Sequence, residues 1–177
     1  MEELGRKSIS QFKLAEKNPV ILILDNVRSM HNVGSIFRTA DAFLAEAIYL
    51  CGYTPRPPHR DIQKTALGAT ESVAWTYFDT LLEAVLSLKD MGYEIYAVEQ
   101  ADPSISLSHF EMKAHTKSAF IFGNEVDGVQ EDVLPYCTGC IEIPQAGTKH
   151  SLNIAVAAGI VLWKISAAFL EKSIENT

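Results

Sequence analysis

The stretch "PVILILDNVRSMHNVGSIFRTADAF", residues 19–43, opens with a continuous apolar run, 20–24. An unbroken branched run of this length predicts a strand buried on both faces, as in a parallel sheet. A polar loop follows from Asp25, and residues 33–44 then read as a helix with Ile36, Phe37, Ala40 and Phe43 along one side. Asn32 is placed as its N-cap, and Gly34 in the first turn lets another backbone or a ligand come close. Arg38 falls on the less apolar side. A buried strand feeding a helix is the repeating unit of α/β folds. Outward from it, further strands are predicted at 47–50, 73–78, 93–98, 119–123 and 139–143. Helices are predicted near 61–68, over 79–91 ending at Gly92, and over 151–172. Residues 53–60 form a proline-rich loop, and 101–116 read as a polar loop with a short helix. The expected fold is α/β, a mainly parallel sheet flanked by helices.

The 177 residues suit one domain with a real core, and 47% hydrophobic with 21% charged residues is ordinary for a globular protein. No stretch is long and apolar enough to span a membrane, and "MEELGRKSIS" lacks the apolar centre of a signal peptide, so a cytoplasmic protein is expected. A net charge of −7 argues against a broad basic surface, so any face for nucleic acid must be local. Cys137 and Cys140 form a C-x-x-C, but no second pair exists to complete a zinc site. The motif also leads into an apolar run rather than opening a helix. Reduced thiols are the simpler expectation for all three cysteines.

Sites in parallel sheets gather in the loops after the carboxyl ends of strands. Three such loops stand out. In the first, Asn32, Gly34 and Arg38 follow the opening strand. The second, "FGNEVDGV" (122–129), sets two glycines, an amide and two carboxylates directly after a buried strand. Backbone N–H groups freed by such a loop bind polar ligand edges, and Glu125 could orient a cation such as Arg38. The third, "IPQAGTKHSLN" (143–153), feeds the last helix through Ser151 and Asn153, which either cap it or also face a ligand. Each loop alone reads equally well as a capped or solvated turn. None is a dinucleotide-binding or P-loop motif.

Taken in order, "NVGSIFRTADAF" (32–43), "IFGNEVDGV" (121–129) and "IEIPQAGTKHSLNIAVA" (141–157) resemble the three motifs of the SpoU, or TrmH-type, RNA 2′-O-methyltransferases of the SPOUT superfamily. "PPHRDIQKTALGA" (57–69) resembles the segment between the first two, and the likeness spans roughly residues 19–170. One departure is Gln145, where the family often has methionine. The resemblance divides the chain into an N-terminal extension (1–18), a single methyltransferase domain (19–172) and a tail (173–177). It implies a C-terminal trefoil knot, S-adenosylmethionine as cofactor, no metal, and a homodimer with the last helix in the interface. Val98, Gly123, Asn124, Ile143, Ser151 and Leu152 would then line the cofactor site. Arg38 would reach the other subunit's site.

The implied reaction moves a methyl group from a sulfonium to a ribose 2′-hydroxyl. It needs in-line positioning and a route for the departing proton. The resemblance gives this work to Arg38, Asn32, Glu125, Ser151 and Asn153. A guanidinium suits a phosphate contact and charge stabilisation, and in the family a phosphate-assisted arginine is the proposed base. Arg28, Arg38, Arg56, Arg60, Lys64 and Lys149 are expected to meet RNA. His31 and His150 are expected to be exposed loop residues. With only about 18 residues ahead of the first strand, a compact RNA is expected, tRNA ahead of ribosomal RNA. The rival expectations are a ribosomal RNA 2′-O-methyltransferase, a non-catalytic knotted RNA-binding dimer, and a small-molecule-binding α/β protein.

Overall fold

The computed structural model describes residues 7–112, 116–148 and 151–175. In chain order the elements are α1 (Ile9–Leu14), β1 (Asn18–Asp25), α2 (Met30–Ala42), β2 (Ala45–Cys51), α3 (Arg60–Ala66), α4 (Ala69–Ser72), β3 (Ala74–Phe78) and α5 (Leu81–Asp90). Then come β4 (Glu94–Val98), β5 (Ile105–Ser106), β6 (Ser118–Phe122), a 3₁₀ turn (Glu131–Tyr136), β7 (Gly139–Glu142) and α6 (Ile154–Glu175). The described strands form one seven-stranded sheet in the order β3-β2-β1-β6-β4-β7-β5. Every pairing between them is parallel.

β1 sits near the middle and alternates strictly. Val20, Leu22 and Leu24 pack with α2, α3 and α6, including Ile36, Phe37, Ile62, Ala158 and Val161. Ile21 and Ile23 pack on the other face with Leu81, Ala84, Val85 and Leu88 of α5. This two-sided burial is why the run 20–24 shows no polar alternation.

The chain leaves β4 for the sheet edge at β5, returns to the centre at β6, and goes out again to β7. Register then sets the site. Leu24 pairs with Phe122, Phe122 with Val98, and Val98 with Ile141. Four adjacent strands therefore end level, and their following loops start side by side.

Several boundaries differ from the sequence reading. α2 begins at Met30, because the Ser29 hydroxyl accepts from the Asn32 N–H at 3.3 Å and does the capping expected of Asn32. α6 begins at Ile154 rather than 151. Asn153 alone caps it, its Oδ1 accepting from the N–H groups of Ala155 (2.9 Å) and Val156 (3.4 Å). The ambiguous segment 101–116 supplies β5, and its Leu107 and Phe110 are buried. Part of the expected N-terminal extension is ordered too: α1 is held by a capping box between Ser8 and Gln11 and buries Phe12. Gly34 permits a close approach of α2 to α3, since a Cβ there would lie 2.3 Å from the Ile62 carbonyl oxygen of α3.

An apolar stripe runs along α6. Ile154, Ala158, Val161 and Ile165 are buried within this chain, which by itself accounts for the stripe. A second apolar set, Val156, Ile160 and Trp163, stays exposed. Among the described residues no helix is long and apolar enough to cross a membrane.

Candidate functional site

The level ends of β6, β4 and β7 frame a cavity of roughly 340 Å³. Val98, Gly123, Asn124, Ile143, Ser151 and Leu152 all line it, so the six residues expected around a cofactor stand together.

Its wall at 123–128 is built from backbone. Asn124 and Gly128 exchange two N–H to C=O hydrogen bonds, both 3.0 Å, and Gly128 takes a left-handed φ of 71°. Asn124 is buried and bonded at both ends of its amide. Its Oδ1 accepts from the Val126 N–H at 2.7 Å, and its Nδ2 donates to the Asn26 carbonyl at 3.0 Å. Gly123 lies flat against this turn, with no room for a side chain. Glu99, which the sequence reading missed, completes the wall. Its Oε2 accepts from the Val129 N–H at 3.2 Å, and its Oε1 from the Gln100 N–H at 3.1 Å. The carboxylate occupies the space that a Cβ on Gly128 would fill, which ties the β4 end to the β6 loop. A glutamate directly after a buried strand was the available signal, but its partner Val129 lies 30 residues away.

A chain of side chains joins the three loops. The Asn153 Nδ2 donates to the Asn32 Oδ1 at 3.1 Å, and the Asn32 Nδ2 donates to the Glu125 Oε1 at 3.2 Å. Its polarity is set from both ends. Capping α6 occupies the Asn153 oxygen, and a carboxylate can only accept. Asn32, released from capping by Ser29, is free to bridge. Ser151 lines the cavity beside this chain and is exposed.

Arg38 lies elsewhere. It is exposed on α2 and lines a separate depression with Ser35, Thr39, Lys64 and Thr65. Six residues beyond Asn32, it is about 9 Å further along the helix axis. Glu125 and Arg38 do not pair within the chain: Glu125 takes the Asn32 amide, and among the described residues the single ion pair is Lys64–Asp61 at 2.6 Å.

Of the expected RNA contacts, Arg28, Arg56 and Arg60 are exposed at or near the loops after β1 and β2. The Arg56 guanidinium lies 4.1 Å from the Tyr77 ring centroid. Lys64 is exposed on α3, with its charge partly offset by Asp61. His31 is exposed, whereas Lys149 and His150 lie outside the described residues.

All three cysteines are free. Burial pushes the Cys51 and Cys140 thiols up, and the Cys137 thiol up to about 11, so all three stay protonated at neutral pH.

Residues 19–163 match the model of the SpoU rRNA Methylase family. The chain is 32% identical over 144 residues to the 23S rRNA (guanosine-2′-O-)-methyltransferase RlmB of Neisseria meningitidis, a match covering 81% of this chain and 56% of that protein. It is 30% identical to a putative TrmH family tRNA/rRNA methyltransferase of Staphylococcus saprophyticus, over 89% of this chain and 62% of that one. It thus spans about three fifths of these curated relatives. Among solved structures, the AdoMet-bound rRNA methyltransferase of Sinorhizobium meliloti superposes with a TM-score of 0.80 at 26% identity, covering 90% of this chain and 60% of that one. The A. aeolicus TrmH/SpoU tRNA modifying enzyme gives 0.81 at 25% identity, over 93% and 84%. With the motif residues gathered at the level strand ends and the family model matched over most of its length, the chain belongs to the SpoU rRNA methylase family.

Proposed function

We propose that the protein is an S-adenosylmethionine-dependent RNA methyltransferase acting on a ribose 2′-hydroxyl. The observation that carries this reading is the Asn153–Asn32–Glu125 chain, which knits the three motif loops together beside one cavity.

The cavity's size falls in the range of small-molecule sites. Its residues fit the cofactor. Gly123 and Gly128 keep the wall free of side chains, Val98, Ile143 and Leu152 offer apolar surface, and Glu99 is an acceptor for hydroxyl donors. When bound, S-adenosylmethionine supplies an already activated methyl carbon, so the scheme calls for no metal. Asn32, Glu125, Ser151 and Asn153 orient the ribose. Arg38 holds phosphate and stabilises charge at the attacking oxygen.

Because Arg38 lies away from its own chain's cavity, this role assigns it to the site of a second subunit. A homodimer with α6 in its interface follows, the exposed Val156, Ile160 and Trp163 being the surface offered. The trefoil path, a single methyltransferase domain over 19–172 and a cytoplasmic place of action belong to the same reading.

The substrate proposed is structured RNA, tRNA first. Ribosomal RNA is the second reading, favoured by the printed names of relatives such as the Neisseria protein. Calorimetric titration with S-adenosylhomocysteine in EDTA, then methyl incorporation into tRNA and ribosomal RNA from cells lacking this protein, tests the whole. Binding followed by labelling of 2′-oxygens is expected. No binding removes the cofactor assignment, and labelling of ribosomal RNA alone reverses the order of substrates.

A further inference from the structure

We propose that Tyr53 is a stacking platform for an unpaired base of the RNA, an inference that rests on the RNA reading above. The ring is 87% exposed, while the backbone carrying it is clamped on both sides. The Tyr53 N–H donates to the Asn26 Oδ1 at 2.9 Å. Before it, the Gly52 N–H donates to the Phe78 carbonyl and the Gly52 carbonyl accepts from the Tyr77 hydroxyl, both at 3.1 Å. After it, the buried Thr54 hydroxyl donates to the Leu24 carbonyl at 2.9 Å and accepts from the Val27 N–H at 3.0 Å. A large ring left in water on a fixed turn costs little entropy to engage.

The surroundings choose the partner. Arg28 follows directly on Val27, and Arg56 lies three residues past Tyr53; both are exposed, in a chain of net charge −7. An exposed ring with exposed cations close by in the sequence, Arg56 seated on the Tyr77 ring, suits a base with its flanking phosphates. The turn also adjoins the cavity, because Asn26 accepts from Asn124 through its carbonyl and from Tyr53 through its side chain. A nucleotide next to the methylated one would therefore meet Tyr53.

The test is equilibrium binding of purified tRNA and of a short unstructured RNA oligonucleotide by wild type, Tyr53→Ala and Tyr53→Trp. Tyr53→Ala should weaken binding at least about fivefold, the lower scale for losing one base stack. Tyr53→Trp should restore it. The salt dependence, melting temperature and affinity for S-adenosylhomocysteine should stay as in wild type, since stacking releases no counterions. Wild-type affinity in Tyr53→Ala overturns the inference and leaves the RNA reading standing. Equal weakening in the Ala and Trp variants overturns stacking in favour of a protein or structural role for the turn. Wild type that binds neither RNA at low salt removes both readings.

Discussion

Gly123→Ala should damage the cavity wall by a calculable amount. A Cβ at this position would lie 2.2 Å from the Gly128 carbonyl carbon, 2.3 Å from its oxygen and 2.4 Å from the Val129 nitrogen. All three are backbone atoms, so no rotamer change relieves the clash. Carbon contacts settle near about 3.5 Å, so the 124–128 turn must retreat by about 1.3 Å. That retreat strains the turn or breaks the paired Asn124–Gly128 hydrogen bonds. Overpacking of this kind costs about 1–3 kcal/mol, and two lost backbone bonds cost about the same. About 2 kcal/mol is a fair central value for whichever occurs. Two measurements divide the possibilities. If the turn is restored when S-adenosylhomocysteine binds, calorimetry should read roughly a thirtyfold loss of affinity. If the folded protein bears the strain, melting should fall by about 4–8 °C. Gly147→Ala is the control, since nothing lies within 4 Å of a Cβ there and both readouts should stay near wild type. Wild-type affinity together with wild-type melting in Gly123→Ala would refute the argument that this backbone contact builds the wall.

Arg38→Lys keeps the charge but loses the bidentate fork, so single-turnover methyl transfer should fall at least about a hundredfold with cofactor affinity little changed. Near-normal turnover would take Arg38 out of the mechanism. Removing Asn32 and Asn153 singly and together should give a coupling of about 0.5–1.5 kcal/mol in thermal unfolding, because the two amides share a hydrogen bond. Strict additivity would mean that the bond contributes nothing. Asp25 is buried with one oxygen unpartnered, and burial raises its carboxyl pKa more than hydrogen bonds from Gln130 and Asn26 lower it. A raised folded value favours the folded state below the unfolded pKa, and that contribution is lost as pH rises through the folded value. Asp25→Asn should therefore gain on wild type in denaturant midpoints as pH rises above the ordinary carboxylate range; parallel curves for the two proteins would contradict this.

Much of the site was legible because it is local. A buried strand followed by glycines and amides announces a loop at the carboxyl end of a sheet, and the resemblance then named Val98, Gly123 and Ile143 as residues around the ligand. Helix starts were less legible. "RSMHNVG" offers both Ser29 and Asn32 as caps, and the choice depends on Glu125 and Asn153 arriving to occupy Asn32. Glu99 escaped notice because its partner N–H belongs to Val129, in the loop after the neighbouring strand β6. Strand order was out of reach for the same reason. That β6 lies between β1 and β4 is a property of the whole chain, not of any window in it. The α6 stripe was uninformative about its partner: a helix packed on its own subunit and one packed on another show the same periodicity.

Asn26 has a consequence for anyone recombining these proteins. It sits at φ 52°, donates from its Nδ2 to Asp25, accepts from Tyr53 at its side chain and from Asn124 at its carbonyl. Its side-chain oxygen also fills the space beside Gly52 where a Cβ would go, at 2.2 Å. The ends of β1, β2 and β6 are thus keyed to one residue. Swapping a single loop from a relative would leave the other two holding a mismatched key. Chimeras should instead exchange the 25–27, 52–54 and 123–128 segments as a set, with crossover points inside the strands, where the parallel ladder is indifferent to which parent supplies it.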